Sequence, residues 1–417
     1  MKSINHTALY LALTLFVYSN TSAAGGFTLY EQSASAAGTA YAGKAALGED
    51  ASAAWFNPAS MSLLKREQLA VGLNVYNVDI KFKDDGRSTD NAGSANREGK
   101  PGGVLFLPNF HYVRPINERM NFGFSVAAPF GVAHDFKPSW VGRFQGLKSE
   151  ITNLDFNPSL SYKVDERLSV GAGVSAQYLT VKLTQAIPII SGVTTSEGGA
   201  TIKGNSVGFG YNYGALLKVS DATRVGLAYR SEVKHNLSGT ADFSTLPLMN
   251  SNVTSNIDLP ASLAFSSVTQ LSPTWSVLTD LTWTQWTKFK ELRFSPENGN
   301  GSNDIVRDLS WRDTMRYSVG AVHQYNQKTK LKFGLAYDET PVQDAKRNVR
   351  TPDSNSVTLA LGSQYRIDER CTVDTALQVT KYRSAPIFDD QGGAGGTVSG
   401  QFKSIVEIVS AQLNYAF

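Results

Sequence analysis

The chain has 417 residues with 36 Gly, 17 Tyr, 21 Phe, five Met and one Cys, is only 18% charged, and carries a net charge of +3. Charges this sparse, with no basic block, exclude a nucleic-acid interface, and a single Cys excludes an intramolecular disulfide framework. Many aromatics and glycines suit strands that face lipid on one side, with aromatic girdles at both membrane edges.

In chain order, Lys2, an apolar run from Ala8 to Tyr18 and the small residues Ser22-Ala23-Ala24 form the pattern of a signal peptide over 1–24, with the mature chain starting near Gly25. That run is too short for a membrane-spanning helix, and no later stretch reaches the roughly eighteen residues one needs. An embedded chain of this kind must be a closed barrel, because lipid offers backbone N–H and C=O groups no partner. Residues 25–64 are crowded with Ala, Gly and Ser, as in Ser33-Ala34-Ser35-Ala36-Ala37-Gly38, and show no strand alternation. They read either as a hatch plugging the lumen or as a periplasmic tail. A fourteen-stranded barrel is too wide for its own side chains to fill, which gives a hatch a purpose.

From about Lys65 to Phe417 apolar and polar residues alternate. Val170, Val174 and Ala176 oppose Ser169, Ser175 and Gln177; Val277, Leu281 and Trp283 oppose Ser276, Asp280 and Thr282; Val409, Leu413 and Tyr415 oppose Ser410, Gln412 and Asn414. A soluble sandwich would alternate too. The connectors favour a membrane barrel, because short and long ones take turns. Short polar turns stand at 115–119, 164–167, 219–223, 271–274, 326–329 and 367–370, and longer segments at about 84–102, 135–148, 188–203, 238–254, 291–307, 339–355 and 385–400. Trimmed turns at one end and elaborated loops at the other predict an all-β fold: a transmembrane antiparallel β-barrel of about 14 strands over 65–417, in the outer membrane of a Gram-negative cell.

Enzyme chemistry is scarce. Gly204-Asn205-Ser206-Val207-Gly208 matches a nucleophile elbow, but it opens a strand-like run and lacks the following helix. His111, His134, His235 and His323 are scattered without ligand spacing, so no metal, cofactor or catalytic residue is assigned. Cys371 reads as a small apolar residue on a strand. Alternation fails in two places. The second strand, Val104 to Phe110, is apolar on both faces, which places Phe106 and Leu107 beside a greasy lumen. The third carries Ala128-Pro129-Phe130-Gly131, where Pro cannot donate to the ladder and Gly weakens it, so either a kink in the wall or an ordinary strand end follows.

Several of these residues form ordered motifs. Gly25-Gly26-Phe27, Tyr41-Ala42-Gly43-Lys44, Asn57-Pro58-Ala59, Pro108-Asn109-Phe110-His111-Tyr112-Val113, Tyr229-Arg230-Ser231-Glu232, Trp283 to Leu292, Tyr337 to Val342, Pro352-Asp353 and Asn414-Tyr415-Ala416-Phe417 resemble, across the whole mature chain, the FadL/TodX family of outer-membrane transporters. The resemblance implies a hatch-plugged barrel, acting as a monomer, that takes up long-chain fatty acids or, alternatively, monoaromatic hydrocarbons without an energy source. It further implies hatch or gating roles for Gly25, Gly26, Phe27, Asn57, Pro58 and Ala59, and a lateral opening to membrane lipid at Ala128, Pro129, Phe130 and Gly131. A groove on the external loops would involve Ile189, Ile190, Leu246, Leu248 and Met249. Arg312 stands where a basic residue of the family pairs with an acid headgroup, although Asp313 or the hatch would serve as its partner equally well. A second basic position falls on Thr180, with Lys182 nearby, and that departure keeps neutral hydrocarbons open as substrates. A general polar porin would leave the hatch without purpose, and an outer-membrane phospholipase would need a Ser/His pair that no spacing here supplies.

Overall fold

The computed structural model describes residues 25–90, 96–191, 194–297 and 304–417, so the expected signal peptide over 1–24 lies outside the described residues. The fold is a closed barrel of 14 antiparallel strands. They are β1 (Gln68–Asp84), β2 (Val104–Pro115), β3 (Met120–Ala127, resuming as Gly131–Asp135), β4 (Lys148–Lys163), β5 (Leu168–Ser191), β6 (Thr194–Lys218) and β7 (Thr223–Arg230, resuming as Val233–Phe243). Then follow β8 (Ser251–Leu259, resuming as Ser262–Gln270), β9 (Trp275–Thr284), β10 (Thr314–Gln324), β11 (Thr329–Asp338), β12 (Ser356–Arg366), β13 (Cys371–Tyr382) and β14 (Thr397–Ala416). β14 pairs with β1 from Gln68↔Ala416 to Asp84↔Gly400 and closes the sheet.

The six short turns all join strands at one end. The expected loop at 188–203 is instead ladder: β5 and β6 pair without interruption from Leu168↔Leu217 to Ser191↔Thr194, so Ile189 faces Ser196 across a hairpin. A strand of 24 residues is on the order of 80 Å long, far more than the roughly ten residues a bilayer needs. The hairpin therefore stands well above the membrane, and its side chains show where lipid ends. Along the lower part of β5, Val170, Val174 and Tyr178 are exposed while Ser169, Ser175 and Gln177 are buried. Above Tyr178 the apolar residues change face, and Leu179, Val181 and Leu183 are buried. β1 repeats the pattern, with Asn74 buried low on the inner face and Tyr76, Val78, Ile80 and Phe82 buried above it, opposite outward Asn77, Asp79 and Lys81. Below this level the barrel is greasy outside and polar within. Above it, water surrounds the wall and the interior is apolar.

Residues 25–64 pack against the inner face of the polar half. They form two short helices, α1 (Ala34–Ala37) and α2 (Ala53–Phe56), and a 3₁₀ turn over Pro58–Leu63. Asn57 starts that turn by accepting the Ala59 N–H at 3.0 Å, with Pro58 at the first position, where its missing N–H costs nothing. Asn57 Nδ2 donates to Ala45 O at 2.6 Å and to Ala215 O of β6 at 3.1 Å, which fixes the bend to the wall. Contact here is so close that a Cβ on Gly214 would lie 1.8 Å from Asn57 Oδ1, and one on Gly171 2.5 Å from Ala59 N. The small residues of both surfaces are the reason they fit.

Candidate functional site

β3 breaks at Ala128-Pro129-Phe130. On the β4 side, Ala127↔Asp155 is followed by Gly131↔Thr152, so three residues face two and the strand bulges. On the β2 side pairing stops at Phe110↔Val126, leaving 104–109 of β2 without β3 beside them. The hatch stitches this gap. Leu29 N–H donates to Pro129 O at 2.8 Å and Gly131 N–H to Phe27 O at 2.9 Å. Gln32 accepts from Ala128 N–H at 3.1 Å and donates to Ala128 O at 2.7 Å. Backbone groups freed by the proline are thus satisfied by residues 27–32, without which they would be orphaned inside the wall.

Phe27 also faces upward into an aromatic cluster, with ring centroids 4.8 Å from Trp286, 5.4 Å from Phe289, 5.7 Å from Trp311 and 5.8 Å from Phe130. Gly26 holds it there. Its φ of +77° favours glycine, and a Cβ would lie 2.8 Å from Trp311 and 2.9 Å from Trp286. The Gly26 N–H donates to Asp353 Oδ2 at 3.0 Å, and burial raises the Asp353 carboxyl to about 6. Above the cluster lies a cavity of about 460 Å³, a size that suits a small apolar ligand. Phe27, Ile151, Val181, Leu183, Ile202, Phe243, Phe289, Leu292 and Phe294 supply apolar walls. Arg307, Arg350, Gln145, Gln185, Asp390 and Gln391 also line it and supply polar ones. Arg350 donates to Lys148 O at 2.9 Å, Ser149 Oγ at 3.0 Å, Thr184 O at 3.1 Å and Gln185 Oε1 at 3.0 Å. No described carboxylate pairs with it. Burial and the positive charge of Arg307 lower Arg350 to about 10, so it remains a cation at neutral pH.

Several expected ligand residues lie elsewhere. Phe106 is 46% exposed and points outward, while Leu107 turns in at 1% and joins the apolar cluster of β1, β2 and β14. One residue of the pair had to face lipid, because successive side chains of a strand point oppositely. Arg312 is exposed, donates from Nε to Thr340 O at 3.2 Å, and does not line the cavity, while Asp313 accepts from Thr287 N–H at 2.9 Å. Leu246, Leu248 and Met249 sit on the loop joining β7 to β8, with Leu248 93% exposed, and they too do not line the cavity. Ile189 is half-buried on the β5–β6 hairpin, and the side chain of Ile190 lies outside the described residues. Arg350 and the inward row Leu179, Val181 and Leu183 were not singled out from sequence. The change of apolar face after Tyr178 is the signal that would have found the row. Ser206 lies in straight β6 ladder opposite Leu179, without the turn a nucleophile requires.

A plugged barrel with an apolar chamber and a stitched break in its wall defines a class: outer-membrane proteins that pass hydrophobic molecules. The chain belongs to the outer membrane protein transport family (OMPP1/FadL/TodX), whose model matches residues 15–417. It is 26% identical to the long-chain fatty acid transport protein of Escherichia coli O6:H1, covering 98% of each chain. It is 29% identical to outer membrane protein P1 of Haemophilus influenzae, covering 90% of this chain and 89% of that one. Among solved structures, a Pseudomonas aeruginosa FadL homologue superposes with TM-score 0.86 at 24% identity, over 94% of this chain and 100% of that one. The Pseudomonas putida toluene transporter TodX gives 0.69 at 18%, over 94% and 98%. The chain is a transport protein of the outer membrane and not an enzyme.

Proposed function

We propose that the protein takes up long-chain fatty acids passively: capture on the external loops, transfer to the chamber above Phe27, and release sideways through the β3 break. The observation that carries this reading is the double duty of Phe27, whose ring floors the chamber while its carbonyl holds Gly131. A ligand that displaces the ring pulls on the bond that seals the wall. Exposed Leu246, Leu248 and Met249 offer the first apolar contact. Each methylene removed from water contributes about 0.8 kcal/mol, so a chain of ten gains about 8 kcal/mol without any coupled energy source. The headgroup then meets Arg350, a cation with only neutral partners. Exit into the bilayer avoids returning the chain to water.

Similarity to a long-chain fatty acid transport protein supports this substrate, and the toluene transporter of the same fold supports a neutral aromatic as the second reading. Arg350→Gln separates them. Oleate affinity of the purified chain should fall by about 1.5–3 kcal/mol, roughly tenfold to a hundredfold, while Arg350→Lys retains most of it and toluene binding is unchanged. Oleate binding unaltered in Arg350→Gln would remove the headgroup role.

A further inference from the structure

The barrel ladder is interrupted a second time, between β6 and β7. Pairing runs up to Asn212↔Arg230 and resumes at Asn205↔Ser238, so 206–211 of β6 face 231–237 of β7 outside the ladder. At the lower corner Ser231 N–H donates to Tyr211 O at 2.9 Å and Ser231 Oγ accepts from Tyr211 N–H at 2.9 Å. Backbone direction alternates along a strand, so Phe209 and Val207 aim their N–H and C=O at the same gap, where β7 gives them no ladder partner and Val207 O receives the neighbouring Ser206 hydroxyl at 3.4 Å. The cause is a matched pair of breaks. β7 and β8 pair with each other at Arg230↔Ser262 and again at Val233↔Leu259, with Ser231-Glu232 opposite Pro260-Ala261, and Pro260 has no N–H to give.

Above these breaks the β7–β8 hairpin slips behind β6. A Cβ on Gly208 would lie 2.7 Å from Val233 Cγ1 and 2.8 Å from His235 Cε1, and one on Gly210 2.7 Å from Val233 Cγ2. Those Cβ directions are lumenal, because the intervening Val207, Phe209 and Tyr211 are 58%, 75% and 46% exposed. The edges therefore overlap as shingles do, and side chains rather than hydrogen bonds fill the seam. Cross-strand partners lead from the first break to this one along a single row, Ala127↔Asp155, Asp155↔Gln177 and Gln177↔Gly208. Inside, a cavity of about 100 Å³ touches Pro129 and Phe130 of the first break and Ser231, Val233 and Pro260 of the second, with hatch residue Thr28 also in its lining.

Unpaired backbone groups facing lipid are costly, and a continuous ladder would satisfy them. We propose that the β6–β7 seam is a second lateral port, through which an alkyl chain or small aromatic ring passes between lumen and bilayer, with Val233 and His235 as its shutter. The inference rests on the lateral-exit reading above. Opening this port needs side-chain rotation and a shift of the hairpin, whereas the β3 break must also release its hatch bonds.

The test joins Gly208 to Val233 by a cystine in a Cys371→Ser background. The 2.7 Å from the Gly208 Cβ position to Val233 Cγ1 is near the roughly 3 Å that a disulfide keeps between one Cβ and the partner sulfur. Uptake of radiolabelled oleate by cells producing the full chain is measured with G208C/V233C oxidised and then reduced. For one of two parallel routes the oxidised form should lose about half the rate and regain it on reduction, with fluorescent fatty-acid binding to the purified chain unchanged. Unchanged uptake with the bond verified by mass spectrometry overturns the port while leaving the β3 exit standing. Absence of oleate uptake or binding in the unmodified chain overturns the parent reading instead. Val233→Ala, which thins the shutter without a crosslink, should speed uptake; an unaltered rate in that folded variant also overturns the port.

Discussion

Asp353 shows how one side chain sets the hatch. It receives the Gly26 N–H at 3.0 Å and the Thr340 hydroxyl at 2.5 Å, and burial raises its carboxyl to about 6. An acid whose folded value lies above its unfolded value of about 3.9 contributes stability below pH 4 and loses it as pH rises through 6. Wild-type thermal stability relative to Asp353→Asn should therefore decline between pH 4 and 7; a flat difference across that window would show that Asp353 does not titrate there. Family likeness draws attention to Gly25-Gly26-Phe27 and to Pro352-Asp353, but nothing in the sequence joins Asp353 to Gly26 or places Arg350 on the chamber wall. Both lie on the β11–β12 loop, where no period of two tells which way a side chain turns. The same holds for Arg312, since Leu309 to Asp313 fall outside the ladder.

At the scale of strands, the sequence was legible wherever turn chemistry and alternation agreed. The six polar turns stand where Asn117, Asp165, Ser220, Ser272, Asn326 and Asp368 accept from backbone N–H groups two or three residues on. The segment 188–203 reads as loop because it is polar and Gly-rich, yet it pairs as ladder in a hairpin above the membrane. Glycines of the wall carry a second lesson. Gly214→Ala would drive a methyl into Asn57 Oδ1, 1.8 Å away, so the hatch bend must retreat. The expected outcome is a barrel of normal strand content whose residues 57–64 exchange amide hydrogens faster. Unchanged exchange would mean the contact yields elsewhere.

Across the whole molecule the hatch is held unequally. On the β9–β13 side buried charges pin it: Lys44 to Asp280 at 2.8 Å, Glu49 to Lys330 at 2.8 Å and to Lys332 at 3.4 Å, and Lys332 to Asp374 at 3.0 Å. Burial alone would raise Glu49, but the ammonium groups of Lys330 and Lys332 hold it well below the usual carboxylate range. On the β3 side, among the described residues, hydrogen bonds of residues 27–32 and the packing of Ala54 and Met61 against Gly123 hold the hatch without a buried ion pair, so that side should yield first. Lys332→Met leaves Asp374 and Glu49 short of a buried partner and should cost about 3–5 kcal/mol in thermal or denaturant unfolding of the solubilised chain. A loss below about 1 kcal/mol would show that water reaches the cluster.

On the proposed route a hydrophobic molecule with an acidic end occupies the chamber above Phe27. The decisive measurement is a structure of the full chain saturated with oleate. An elongated ligand should lie among Val181, Leu183, Phe289 and Phe294, its carboxylate within hydrogen-bond distance of Arg350 and the Phe27 ring displaced. An empty chamber with Phe27 unmoved at saturating oleate, or a ligand bound only at Arg312 outside it, would rule this route out.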